Sequence, residues 1–167
     1  MKRAMPHSFN RLNAPYPIED TFDFISDFRH ASLWDPRTRT VKKLTDGPIG
    51  QGTRFLLYGE FLGRPLELPY EIVLYDRPLC LVFAGESAIL RYRERVTFKP
   101  EAGGTCIEYD ATASLKSIFA LGNPILALIY QRIGNDATSG ILSALDKSLG
   151  ASRARTKSSA ESAHRPS

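Results

Sequence analysis

Apolar and polar residues alternate through the middle of the chain, and this alternation predicts a series of short β-strands. A period of two places every second side chain on the same face of a strand. The predicted strands cover residues 8–14, 38–45, 52–59, 66–75, 79–85, 88–98 and 104–114. Turn residues such as Asp46-Gly47-Pro48 and Asp76-Arg77-Pro78 separate them. Strands joined by such short turns form an antiparallel meander.

Helical spacing of apolar residues occurs on both sides of this strand region. Ile18, Phe22 and Ile25 recur at helical spacing after the first strand and predict a helix to about Asp27. A short second helix follows at about residues 30–34, and a long apolar helix covers about 124–149. The second half of the long helix is expected to be core, and the first half to border a ligand or partner. One helix cannot fill the whole interior of a curved sheet, so the pattern predicts a pocket.

Strand parity predicts which side chains face that pocket. The inward set is almost entirely apolar or aromatic, and its polar members are one carboxylate and three tyrosine hydroxyls. Its members are Phe55, Leu57, Leu68, Tyr70, Ile72, Leu74, Leu79, Leu81, Phe83, Leu90, Tyr92, Glu94, Val96, Phe98, Ile107, Tyr109 and Ala111. An apolar lining with a few polar groups is typical of a small-molecule site, although plain core packing gives the same pattern for the aliphatic members.

Glu94 stands out because an unpaired buried carboxylate costs several kcal/mol and is normally paired or protonated. Two interpretations stay open for this residue. Either it has a structural partner, such as Arg132 on the long helix or a tyrosine hydroxyl, or it faces a ligand as a binding or acid-base group.

The arginines at positions 91, 93 and 95 could form a phosphate-binding stripe on the opposite face. The expected register, with Phe98 opposite Thr105, pairs Arg95 with Glu108 and Arg93 with Asp110. Opposite charges across a sheet explain the run without a nucleic-acid ligand.

Composition and charge narrow the class of protein. A single domain over residues 1–150 is expected, followed by a basic, disordered tail over 151–167 that carries most of the net charge of +4. The two cysteines, Cys80 and Cys106, show no metal-ligand spacing and indicate reduced packing residues in a cytoplasmic protein. Neither a membrane-spanning segment, a metal site nor a cofactor motif is expected.

Several short motifs resemble the polyketide cyclase/dehydrase and lipid-transport group of the START-like (SRPBCC) superfamily. The motifs are Ala14-Pro15, Phe24-Ile25-Ser26-Asp27, Trp34-Asp35-Pro36, Gly50 to Phe55, Tyr70-Glu71-Ile72, Asp76-Arg77-Pro78 and Gly103-Gly104-Thr105. The resemblance implies an α+β helix-grip fold, in which a seven-stranded antiparallel sheet wraps the C-terminal helix and two short helices follow the first strand. It also implies that the sixth strand separates Cys80 from Cys106, so that they are not bonded.

The leading functional hypothesis is the binding or carriage of a small hydrophobic molecule, such as a lipid, a polyketide or another aromatic metabolite. The candidate ligand-binding residues are Trp34, Phe55, Tyr70, Phe83, Tyr92, Glu94, Phe98, Tyr109, Leu128 and Arg132. The alternative is a cofactor-independent aromatase/cyclase or dehydratase that uses Glu94 as acid or base, with Tyr92, Tyr109 or Arg132 orienting an enolate. A third possibility is an interaction module or homodimer that uses the helix surface around Leu126 and Tyr130.

Overall fold

The computed structural model describes residues 6–61, 63–116 and 123–152, and it describes only the helical backbone for residues 123–131 and 133. The seven strands are β1 (His7–Ala14), β2 (Thr38–Lys43), β3 (Arg54–Phe61), β4 (Arg64–Asp76), β5 (Cys80–Glu86), β6 (Leu90–Glu101) and β7 (Gly104–Leu115). The helices are α1 (Ile18–Ser26), a 3-10 turn (Phe28–His30), α2 (Ala31–Trp34) and α3 (Asn123–Leu145), which continues as a π-helical turn (Asp146–Gly150).

All seven strands form one antiparallel sheet in the order β1-β7-β6-β5-β4-β3-β2. Helix α3 packs against β1, β7 and α2. The predicted α+β architecture is confirmed, including the two short helices between the first two strands. Strand β6 lies between β5 and β7, and both Cys80 and Cys106 are free thiols, as expected.

Helix α1 forms where the chain leaves the edge strand β1. Pro17 precedes its first turn, and Glu19 and Asp20 place acidic groups where the helix dipole favours them. Phe22 and Ile25 are buried in the core, so the apolar face of this helix covers part of the sheet. The following turns bring Phe28 and Trp34 into the interior, at 4% and 6% exposure.

The predicted inward face of the sheet is largely confirmed, because its members are mostly buried. Leu79 is an error in that set, since 49% of its surface is exposed. It lies in the turn before β5, where its amide donates to the carbonyl of Asp76, and strand parity does not extend into that turn. Strand parity also fails on β4 after Ile72, because the pairing with β5 has a register irregularity between Ile72 and Leu74. Leu74 is only partly buried, and Tyr75 packs edge-on against Phe22 at 5.1 Å.

The register of the β6–β7 hairpin also differs from the expected one. Phe98 lies opposite Ile107 because the connection is a tight turn at residues 102–103, with Gly103 at a φ of 86°. This slip of two residues keeps every side chain on its predicted face but changes the partners.

The predicted charge pairs across this hairpin are therefore wrong. Arg95 lies opposite Asp110 and Arg93 opposite Thr112, while Glu108 forms an ion pair with Lys99 at 2.8 Å. Of the three arginines, Arg91 forms an ion pair with Glu86 at 3.0 Å.

Two further expectations concern the ends and the environment of the chain. Apart from Ala151 and Ser152, which are helical, the predicted disordered tail lies outside the described residues. In the part of the chain that is described, no helix has both the length and the apolar character needed to cross a membrane.

Candidate ligand-binding site

A cavity of about 220 Å³ lies between the concave face of the sheet and helices α2 and α3. Its apolar and aromatic lining comes from Phe28, Ala31, Trp34, Leu57, Phe61, Leu66, Leu68, Tyr70, Ile89, Leu90, Tyr92, Tyr109, Ala111, Leu115, Ala137 and Ile141. Helix α3 presents small side chains to this space, among them Ala137 and Thr138. Gly134 lets the helix approach β1 closely, since a Cβ there would lie 2.0 Å from Ser8 Oγ.

One end of the cavity has an apolar rim, which we define as Phe61, Leu66, Ile89, Leu90 and Leu115. These residues lie at the ends of β3 and β7, at the start of β4, and at the β5–β6 connection. Ile89 is 46% exposed although it also lines the cavity. The rim is therefore where the interior meets solvent.

Glu94 lies on the opposite side of Tyr92 from this rim along β6 and is only 8% exposed. The Tyr70 hydroxyl, from β4, donates to Glu94 Oε1 at 2.9 Å. The Tyr109 hydroxyl, from β7, donates to Glu94 Oε2. Three strands of the sheet thus hold one carboxyl group in place, and that group also lines the cavity.

Burial raises the pKa of the Glu94 carboxyl above its ordinary range, because an apolar surrounding disfavours the charged form. The hydrogen bonds from Tyr109 and Tyr70 oppose this effect, and the negative charge of Asp35 adds to it. Burial also raises the pKa of the neighbouring Tyr92 hydroxyl, so this phenol stays protonated. Tyr92 donates its hydroxyl to the Pro69 carbonyl. The site therefore combines fixed phenols with a carboxyl group that favours its neutral form.

Charged residues on another wall of the cavity are paired with each other. The Arg37 guanidinium lies 3.1 Å from Asp35 Oδ1 and 3.5 Å from Asp136 Oδ2 on α3. The hydroxyl of Thr38 donates to Asp35 Oδ2 at 3.2 Å. These contacts connect the α2–β2 segment to the long helix.

The sequence-predicted site residues divide into three groups. Trp34, Tyr70, Tyr92, Glu94 and Tyr109 line the cavity. The three phenylalanines, Phe55, Phe83 and Phe98, are almost fully buried in the core and are not among the lining residues.

The two candidates on α3, Leu128 and Arg132, form the third group. Arg132 is exposed, and the hydrogen-bond partners of Glu94 are tyrosines. The side chain of Leu128, like those of Leu126 and Tyr130, lies outside the described residues. The ligand-binding roles of all ten candidates stay predictions.

Sequence reasoning missed several lining residues. Phe28 follows α1 and packs 4.5 Å from Tyr70 and 4.6 Å from Phe83, measured between ring centroids. Its only sequence signal is an aromatic residue among polar neighbours. Ala137 and Ile141 lie in the second half of α3, which was expected to be core, yet they border the cavity. The second half of α3 therefore contributes to the site.

The described residues contain no group of three or more histidine, cysteine, aspartate or glutamate side chains that could hold a metal ion. The groups described at this site are a buried carboxyl, phenols and an apolar surface.

Comparison with known proteins identifies the family. The family model described as polyketide cyclase/dehydrase and lipid transport matches residues 13–150. The chain belongs to this family. The sequence motifs predicted this polyketide cyclase/dehydrase and lipid-transport group. A comparison with curated proteins found no match.

Solved structures with the same fold include several proteins from bacteria. TTHA0849 from Thermus thermophilus has a TM-score of 0.72 and 20% identity, over 86% of this chain and 99% of that one. The ZhuI aromatase/cyclase from Streptomyces sp. R1128 has a TM-score of 0.70 and 14% identity, over 86% and 96%. A START superfamily protein from Mycobacterium smegmatis has a TM-score of 0.66 and 12% identity, over 86% and 96%. At these identities the likeness is one of fold.

Proposed function

We propose that this protein binds a small hydrophobic molecule in the cavity between its sheet and α3. The observation that supports this most is the cavity itself, whose lining is mainly aromatic and aliphatic but includes one buried carboxyl group. Burial of apolar surface drives such binding at about 25 cal/mol per Å². Membership of a family that includes lipid transport points to the same class of function.

The test is a titration with small apolar compounds, followed by the backbone amide resonances of cavity residues. Ala137→Leu places a larger side chain in the cavity, and Ser139→Leu makes a similar change on an exposed position of the same helix. We expect saturable shifts for the wild type and for Ser139→Leu, and loss of binding for Ala137→Leu. Equal binding by all three proteins would show that the compounds bind elsewhere, and no binding to the wild type would refute the proposal.

A second candidate function is an aromatase/cyclase or dehydratase activity with Glu94 as acid or base. It is favoured by the burial of Glu94 at the cavity wall, because a carboxyl with a raised pKa is suited to proton transfer near neutral pH. The similarly folded ZhuI structure is described as an aromatase/cyclase. In this candidate mechanism, the ionised carboxylate removes a proton from the carbon next to a carbonyl group, and the electron pair of the C–H bond forms an enolate. The proton then returns from Glu94 to carbon or to oxygen.

This chemistry can be tested without the natural substrate. A ketone dissolved in D₂O exchanges its α-protons when a base forms the enolate, and NMR follows the loss of the proton signal. We expect Glu94→Gln to remove protein-catalysed exchange while leaving the fold intact. Exchange at the same rate in both proteins would exclude Glu94 as the base, and binding without exchange would leave carriage as the function.

A further inference from the structure

The size of the cavity limits its ligand. An apolar cavity of about 150 Å³ accommodates one benzene ring, whereas pockets for drug-sized ligands begin at about 300 Å³. The volume of about 220 Å³ lies between these values. It is closer to the volume of one aromatic ring with a short substituent than to that of several fused rings or a long acyl chain.

The polar groups in the lining are mostly engaged within the protein. Arg37 pairs with Asp35 and Asp136, and the Thr138 hydroxyl donates to the Gly134 carbonyl. Tyr92 donates to the backbone at Pro69. These groups form the walls of the cavity and leave its carboxyl group as the most suitable partner for a ligand.

Glu94 retains bonding capacity after both tyrosines have donated to it. A protonated carboxyl has one O–H donor of its own, in addition to the lone pairs that accept from Tyr70 and Tyr109. Among the described residues, these two phenols donate to Glu94, and the Asp35 carboxylate and the Tyr92 hydroxyl interact with it electrostatically; none of these four groups carries a positive charge that would favour ionisation. The described lining residues of α3, which are Gly134, Ala137, Thr138 and Ile141, are not titratable.

The distance from the rim sets the orientation of the ligand. Leu90 at the rim and Glu94 are four residues apart on β6, which corresponds to about 13 Å along a strand. Tyr92 lies between them, and its ring packs at a tilt of 47° against that of Tyr70, with 4.7 Å between the ring centroids, so aromatic surface lines the path. A ligand that enters at the rim would reach Glu94 with its leading end.

We propose that the cavity binds a single-ring aromatic ketone or aldehyde whose carbonyl oxygen accepts a hydrogen bond from Glu94, while the ring lies against Tyr70 and Tyr92. This inference rests on the proposed binding function and deepens it by naming the ligand class. The Tyr70 and Tyr109 hydroxyls hold the carboxyl in the orientation that presents its proton to the ligand. A carbonyl is the matching group because it accepts a hydrogen bond and has none to donate.

The test uses two probes of nearly identical shape. Acetophenone has the carbonyl group, and α-methylstyrene has a CH₂ group in place of the carbonyl oxygen. The measured quantity is the dissociation constant of α-methylstyrene divided by that of acetophenone. The contributions of ligand size and ring contacts are nearly equal for the two probes and cancel in this ratio. Amide resonances of the cavity residues report binding, and the ¹³C shift of the Glu94 carboxyl locates its titration midpoint. We expect the preference for the ketone to fall about five- to tenfold when Glu94 ionises, the equivalent of one hydrogen bond.

Two variants provide the controls for this measurement. In Glu94→Gln the ratio is expected to be independent of pH, because the amide does not titrate. In Glu94→Leu the ratio is expected to be low at every pH, because the donor is absent. A ratio that stays the same across the Glu94 titration and in Glu94→Leu would overturn the inference.

Ligand size provides an independent test. We expect 2-acetylanthracene, a three-ring ketone, to cause no saturable shift of the cavity resonances, and tighter binding of this compound than of acetophenone would overturn the inference. The outcomes also separate this inference from the proposed function. If both single-ring probes bind with a ratio that does not respond to Glu94, the protein is a hydrophobic binder without carbonyl selectivity. If neither probe binds, the binding function itself is refuted.

Discussion

Substitution of Tyr109 by phenylalanine tests how the buried carboxyl is stabilised. Tyr109→Phe removes one of the two phenol donors to Glu94 and leaves the ring in place. A hydrogen bond between neutral groups contributes about 0.5 to 1.5 kcal/mol, and one to a charged group about 1.5 to 3 kcal/mol. We therefore expect a loss of about 1 kcal/mol in the free energy of unfolding where Glu94 is protonated, and about 2 kcal/mol where it is ionised.

The pH dependence follows from the direction of the pKa shift. The pKa of Glu94 is raised in the folded protein, so the folded state binds more protons than the unfolded state as pH rises above the ordinary carboxyl pKa. Over that window this group makes stability fall with increasing pH, until the folded-state pKa is passed. Loss of the Tyr109 donor raises the folded-state pKa further, since that bond favours the ionised form. The stability of Tyr109→Phe should thus fall with pH over a wider range than that of the wild type.

The assay is urea unfolding of both proteins at several pH values from about 5 to 9, with the midpoint and slope fitted at each pH. Tyr58→Phe is the matched control, because Tyr58 is only half-buried and lies outside the cavity lining, and we expect it to change stability by less than about 0.5 kcal/mol. The reasoning is refuted if Tyr109→Phe behaves like Tyr58→Phe at every pH. It is also refuted if the loss is larger at low pH than at high pH.

Three other substitutions test packing and the extent of the site. Gly140→Ala should lower the melting temperature, because the new Cβ would lie 2.1 Å from the Trp34 carbonyl oxygen. Helix propensity alone predicts a gain of about 1 kcal/mol in stability, so an unchanged or higher melting temperature would contradict this contact. Arg132→Ala should change stability by less than about 0.5 kcal/mol and leave the titration of Glu94 unaltered, because Arg132 is exposed. A shift in the midpoint of the Glu94 ¹³C titration would show that the two residues are coupled. Phe83→Ala should cost about 3 to 5 kcal/mol in urea unfolding, because its ring is fully buried in the core, and a loss below about 1 kcal/mol would show that the core collapses around it.

Much of the fold could be predicted from the sequence because its signals are local and repeated. Alternation along β6 assigned Tyr92, Glu94, Val96 and Phe98 to the interior, and all four are buried. A slip of two residues in the β6–β7 register did not disturb this result, since a period of two returns each side chain to the same face.

Partners across strands were predicted less well. The turn at residues 102–103 is shorter than expected, so the charge pairs assigned to Arg93 and Arg95 were wrong. The exposed position of Leu79 depends on where a turn ends and a strand begins, and alternation carries no information about that boundary.

The candidate site was predictable only in part. Composition and parity indicated a carboxyl and several phenols on the inner face, and five of the predicted residues line the cavity. They did not indicate that Glu94 pairs with Tyr70 and Tyr109 rather than with Arg132, because these residues are brought together by strands distant in sequence. They also did not show that Phe28 joins the lining, since its position depends on the packing of a turn against the sheet.

The sequence by itself determined the strands, the long helix and the side of the sheet that is apolar, because hydrophobic periodicity is a property of neighbouring residues. Only the tertiary structure decided how large the predicted cavity is, which of the inward side chains line it and which partners bind its carboxyl group. The reason is geometric, because the open volume depends on how closely α3 approaches the sheet. That distance is fixed by contacts between residues far apart in sequence, such as Gly134 with Ser8, and Ala137 then lines the space that remains. The protonation preference of Glu94 has the same origin, because burial and two phenol donors act on it only in the folded chain.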